Sequence, residues 1–129
     1  MLSKASTTTM LPVADVERAS RFYAEGLGLT QRATGADGMP VFDAGNGYGI
    51  GLLQSEPGSQ SARTVLSFEV ADLTAEIREL EGRGVVFEDY DLPDLKTENH
   101  IASMGNERAA WFKDTEGNIL CLHELVPNT

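Results

Sequence analysis

The sequence predicts an α+β fold built from two βαβββ halves. Three observations carry that expectation. The triplet Val13-Ala14-Asp15 recurs as Val70-Ala71-Asp72. Each copy precedes an amphipathic helical pattern that runs into glycines. Each half then closes on a strand, a Gly/Asn turn and a second strand.

In the first half, Leu11 and Val13 alternate onto the face that meets a helix, leaving Thr8, Met10 and Pro12 on the other side. Asp15 suits the N-cap, where a carboxylate accepts from free backbone N–H groups. Val16, Ala19, Phe22 and Tyr23 then share one helix face, and Gly26 and Gly28 end the helix. Phe42-Asp43-Ala44-Gly45-Asn46 followed by Ile50-Gly51-Leu52 reads as the closing hairpin, with Tyr48 at its turn. This module spans about 7–54, and the polar stretch 55–62 is a linker without periodicity.

The second module spans about 63–125. Leu66, Phe68 and Val70 face its helix, so Val65, Ser67 and Glu69 point the other way. Asp72 is the cap, Leu73, Ile77 and Leu80 form the apolar stripe, and Gly82 and Gly84 are the stop. In the closing hairpin Phe112, Leu120 and Leu122 face the helix, leaving Trp111, Lys113, Ile119, Cys121 and His123 opposite. The segment Tyr90 to Glu107 is long and polar for a connection, which suits a lid or a flexible loop.

The 129 residues suit one domain over 1–129, and 41% apolar residues suffice for a core. The apolar runs are too short to span a bilayer, and the N-terminal stretch lacks the apolar region of a signal peptide, so the expected compartment is the cytoplasm. Lys and Arg total 10 against 20 for Asp and Glu, a net charge of −10. That field repels nucleic acid and favours a cationic ligand. Cys121 is the single cysteine, which excludes an intrachain disulfide and a cysteine-based zinc site.

The residues at this point resemble a known family. Leu11-Pro12-Val13-Ala14-Asp15-Val16-Glu17-Arg18-Ala19-Ser20-Arg21-Phe22-Tyr23, then Gly26-Leu27-Gly28-Leu29, is similar to the first module of the vicinal oxygen chelate superfamily, that of glyoxalase I, extradiol dioxygenases and bleomycin-resistance proteins. Ala110-Trp111-Phe112-Lys113-Asp114-Thr115-Glu116-Gly117-Asn118-Ile119-Leu120 resembles the closing hairpin of its second module. The resemblance implies paired βαβββ modules whose mixed sheet curls into a cleft, commonly within a homodimer. Enzymes of the family hold a divalent metal with four His or Glu side chains. The positions here that match those ligands are Thr8, Gly51, Val65 and Cys121. Hard or borderline cations want imidazole or carboxylate, and glycine and valine offer no side-chain donor. No metal and no cofactor are therefore expected.

Metal-free members include bleomycin-resistance proteins, dimers that sequester a drug rather than alter it. The resemblance thus points to a metal-independent protein that binds an aromatic or cationic small molecule, with a glyoxalase-like lyase, isomerase or dioxygenase as the alternative. Pro12 on the first strand fits strand exchange in such dimers, and equally any edge strand. Trp111 is the leading ligand contact, since an indole face attracts aromatic and cationic groups. Met10, Met39, Val41 and Gly51 suit an apolar floor, and Val65, Ser67, Glu69 and Cys121 share the face opposite the helix. For proton transfer the candidates are Glu69, His100 and Glu98. His123 sits too far along the strand from Cys121 for a direct Cys–His pair.

Overall fold

A computed structural model describes residues 1–34 and 37–126. The chain forms two compact units. Unit 1 comprises Met1–Gln60 together with Thr115–Asn118, and unit 2 comprises Ser61–Asp114 and Ile119–Thr129.

Unit 1 contains β1 (Thr8–Val13), α1 (Val16–Arg21), β2 (Gln31–Thr34), β3 (Pro40–Ala44) and β4 (Tyr48–Gln54). Its four-stranded sheet has the order β1-β4-β3-β2, with β1 parallel to β4 and the other pairs antiparallel. Pro12 therefore lies on an edge strand, where a residue without an N–H costs no inner ladder bond. Leu11, Val13, Phe42, Ile50 and Leu52 are buried on the α1 side with Ala19 and Tyr23. The first helix does not end as a plain α-helix. It continues through one π turn over Phe22–Gly26, in which Leu27 N–H donates to the Phe22 carbonyl at 3.0 Å. The wider turn keeps Tyr23 fully buried against Phe42, with ring centroids 6.1 Å apart. Gly28, at φ 74°, takes the left-handed conformation that stops the helix.

Unit 2 contains β5 (Thr64–Glu69), α2 (Leu73–Gly82), β6 (Asp91–Leu92), β7 (Leu95–Lys96), β8 (Ala102–Met104), β9 (Glu107–Lys113) and β10 (Ile119–Leu125). Its main sheet repeats the topology, in the order β5-β10-β9-β8 with β5 parallel to β10. Leu73, Ile77 and Leu80 of α2 are buried with Phe112, Leu120 and Leu122, as their periodicity predicts. The α+β expectation of two βαβββ halves therefore holds, each half with its own four-stranded mixed sheet, and unit 2 adds the β6–β7 hairpin.

Both helices begin on a capping aspartate. Asp15 accepts from Arg18 N–H at 3.0 Å and Asp72 from Ala75 N–H at 3.1 Å. Each start also receives a glutamate that no local pattern announces. Glu124 accepts from Leu73 N–H at 3.1 Å and pairs with Arg108 at 3.2 Å. In unit 1, Glu116 accepts from the N–H groups of Ala14 and Asp15 at 3.0 and 2.9 Å. It also binds Arg18 Nε at 2.7 Å and accepts from the Thr115 hydroxyl at 2.8 Å.

The segment from Tyr90 to Glu107 is more ordered than its composition suggests. It folds as the β6–β7 hairpin, then a tight turn, then β8. Glu98 and Ile101 exchange both backbone hydrogen bonds across Asn99 and His100, whose φ values are 51° and 73°. Two left-handed central residues make this a hairpin turn of the kind that matches strand twist.

Among the described residues, no helix is long and apolar enough to cross a membrane.

Candidate functional site: the open face of the second sheet

The face of unit 2 opposite α2 gathers the candidates of the second module, Ser67, Glu69, Trp111 and Cys121, with Val65 at its end. Cross-strand register places Cys121 beside Ser67 on β5 and Trp111 on β9, and His123 beside Glu69 and Ala109. Alternation then brings Ser67, Glu69, Trp111, Cys121 and His123 to one surface, while Val65 sits at a break in the β5–β10 register. Ala109 keeps the row next to Trp111 low, because its side chain is a single methyl group.

Trp111 is half-buried and meets Tyr90 edge-on, with ring centroids 5.6 Å apart and planes at 86°. That packing fixes one edge of the indole and restricts its rotamers. Tyr90 was anticipated only as the start of a loop, and no periodicity marks it. Its hydroxyl is held above its ordinary pKa by burial first, then by the charges of Glu88 and Cys121. It stays a neutral hydrogen-bonding group beside the tryptophan.

The polar part of the face is a short chain of contacts. The Ser67 hydroxyl lies 2.6 Å from His123 Nδ1, and His123 Nε2 lies 3.7 Å from the Glu69 carboxylate. Cys121 and His123 form no direct pair, as strand geometry predicts, but Ser67 stands next to both. Burial pushes the Cys121 thiol up, and its hydrogen bond with Ser67 pulls the other way. The thiol therefore stays protonated at neutral pH and is a poor nucleophile. Alkylation of Cys121 by iodoacetamide at pH 8 is expected to be at least about tenfold slower in the native protein than in urea. Equal rates in the two states would refute the burial of the thiol.

Unit 1 has its own open face. Met10 lies opposite Gly51 on β4, and Gly51 lies opposite Val41 on β3. A Cβ built on Gly51 would sit 2.7 Å from Met10 Sδ and 2.9 Å from its Cε, so the thioether occupies the place of a side chain there. Thr8 borders the same spot, its Cγ2 3.4 Å from that Cβ. Met10 remains 48% exposed, a flexible apolar group on this surface. Beside it Arg32 pairs with Asp43 and donates to the Tyr48 carbonyl at 2.8 Å. Met39 precedes β3, its N–H bound by Asp37 at 3.0 Å. Tyr48 opens β4 and is 49% exposed.

His100 and Glu98 do not join the Trp111 surface. They line a groove of about 720 Å³ beside α2, together with Arg78, Glu81 and Arg108. The reason is the turn: its left-handed residues aim His100 at α2, where its ring sits 2.9 Å from Asp89 and 3.4 Å from Glu81.

The profile of the Glyoxalase/Bleomycin resistance protein/Dioxygenase superfamily matches residues 6–122. The chain belongs to this superfamily. Solved members with the glyoxalase fold include the antibiotic-binding protein TnmS3 from Streptomyces sp. CB03234, at 25% identity and a TM-score of 0.73 over 97% of this chain and 98% of that one. A glyoxalase/bleomycin resistance protein from the same Streptomyces is also 25% identical, with a TM-score of 0.66 over 92% of this chain and 98% of that one. The fosfomycin resistance protein FosX from Listeria monocytogenes, solved with Mn(II), shares the fold at 15% identity and a TM-score of 0.67, over 95% and 90% of the two chains. No curated protein matches the chain. The same fold thus carries an antibiotic-binding protein and a protein solved with Mn(II).

The residues that the sequence resemblance assigns to the metal-ligand positions do not fit a divalent ion. Gly51 has no side chain, and the Met10 thioether lies over it. Val65 has no donor atom, and the Cys121 thiol is held protonated. Thr8 alone offers a neutral hydroxyl, a weak ligand for Mg, Mn or Fe. Among the described residues, no group of three or more His, Cys, Asp or Glu could hold a metal elsewhere.

Proposed function

We propose that this chain is a metal-independent small-molecule binding protein that captures an aromatic, cationic antibiotic on the open face of unit 2. The carrying observation is Trp111, braced edge-on by Tyr90 on the same sheet face as Glu69. A planar aromatic ligand stacks on the free indole face. A cationic group on it meets the 67% exposed Glu69 carboxylate in a chain of net charge −10. The donor-poor metal positions support capture over metal chemistry. So does the likeness to TnmS3, which is described as antibiotic-binding. On this reading the protein is a cytoplasmic homodimer of single-domain subunits, and exposed Met10 and Leu53 in unit 1 offer apolar surface to a second copy.

A panel of aromatic, cationic antibiotics is expected to quench Trp111 fluorescence saturably, and cells expressing the protein are expected to survive the drug that binds tightest. Added Mn or Ni leaves the titration unchanged. An absence of saturable quenching across the panel, with no protection of cells, removes the proposal.

One observation favours a second reading. The 2.6 Å contact between Ser67 and His123 Nδ1 is a proton-transfer geometry, and Glu69 can stabilise the imidazolium that results. A metal-independent lyase or isomerase of the same fold would use His123 as its base. It would show turnover of the bound compound, lost in His123→Gln with binding retained. Recovery of the bound compound unchanged after prolonged incubation selects capture.

A further inference from the structure

The groove beside α2 is separate from the Trp111 face, and its composition runs against the rest of the molecule. The chain carries a net charge of −10, yet Arg78, Lys96 and Arg108 all line this one groove. Its volume of about 720 Å³ lies within the range of small-molecule sites. Ile101 gives it apolar surface, with the largely buried Ile77 behind.

Two carboxylates, Glu81 and Glu98, also line it, and the fold deals with the first of them. His100 Nε2 stands 3.4 Å from Glu81 while Nδ1 is anchored on Asp89 at 2.9 Å. Phe87 supports the ring, with centroids 6.0 Å apart. Glu81 is thereby engaged by the imidazole. Arg108 gives only Nη1 to Glu124, and the guanidinium carries further N–H donors.

The backbone makes the placement of His100 informative. His100 is the second central residue of a tight hairpin turn, at φ 73°. Glycine is the usual occupant there, and any other residue carries a conformational cost. An imidazole is kept at that cost, its Nδ1 anchored on Asp89 and its Nε2 near Glu81, over a groove that holds three Lys or Arg side chains. Such backbone outliers gather at ligand sites.

We propose that this groove is a second binding site, for a small organic anion bearing carboxylate or phosphate groups. Arg78 and Arg108 bind the anion, and Lys96, whose Nζ lies 3.8 Å from Asp91, stands at the rim. His100 restrains Glu81, and Ile101 takes the ligand's carbon skeleton. A guanidinium pair suits both oxyanions, which is why either class fits.

Calorimetric titration of the whole protein at low salt, with citrate in one arm and inorganic phosphate in the other, tests the site. At least one probe is expected to saturate below about 10 mM, and the better probe names the class. Arg78→Glu, an exposed change on α2, is expected to weaken that binding at least about tenfold. Arg21→Glu, an equal change of charge on α1, leaves it within about twofold. Failure of both probes to saturate overturns the site, as does equal weakening by the two variants. Antibiotic quenching of Trp111 is unaffected by Arg78→Glu if the two sites are distinct, so loss of one activity does not count against the other.

Discussion

Replacing Glu116 with glutamine is expected to lower the melting temperature by about 10 °C. The Glu116 side chain is fully buried, and it satisfies two backbone N–H groups at the start of α1, the Arg18 guanidinium and the Thr115 hydroxyl. The Arg18 hydrogen bond is the largest cause that holds its carboxyl at about 2, against an ordinary 4.5. At ~1.4 kcal/mol per pH unit, that difference represents on the order of 3 kcal/mol. Glutamine matches the shape but removes the charge, and its amide nitrogen faces donors rather than acceptors. Arg18→Gln should cost less, because the Ala14 and Asp15 bonds to the carboxylate persist. A change of less than about 2 °C in Glu116→Gln, read by circular dichroism, contradicts this account.

The same carboxylate sets a pH dependence of definite sign. Its pKa is depressed on folding, so its stabilisation is fully present above about 4.5 and is lost as pH falls towards about 2. Urea midpoints of the wild type should therefore decline through that interval. In Glu116→Gln the decline is shallower by the contribution of one proton.

The second large effect is on binding. Trp111→Ala is expected to weaken the captured antibiotic about thirtyfold, corresponding to the roughly 2 kcal/mol of a stacked, partly desolvated aromatic contact. Trp111→Phe should retain affinity within about fivefold, since it keeps a π face of smaller area. Calorimetry is the right readout, because the substitution removes the fluorophore. Trp111 is half-buried and outside the α2 side of the sheet, so the variants are expected to fold. Wild-type affinity in Trp111→Ala would place the ligand away from this face.

What the sequence revealed follows from the range of the interactions. Strand alternation and helix caps are local, so the paired halves, Asp15, Asp72 and the shared face of Ser67, Trp111, Cys121 and His123 were all legible. The contact of Ser67 with His123 joins two strands far apart in the chain, and parity gave the face without the distance. Tyr90 sits outside any periodic segment, so nothing marked it as the brace of Trp111. His100 and Glu98 were legible as titratable groups, but a turn with two left-handed residues decides where they point. In the sequence Glu116 stands out only as part of a hairpin motif. Its partners, Ala14 and Asp15, lie about a hundred residues away.

That last feature bears on how a duplicated chain becomes indivisible. Unit 1 borrows the turn Thr115–Asn118 from the second repeat, and Asn118 also donates to the Pro12 carbonyl at 3.0 Å. A fragment cut at the repeat boundary would carry its helix without the acid that neutralises its start. The two repeats are alike in sequence yet no longer interchangeable parts.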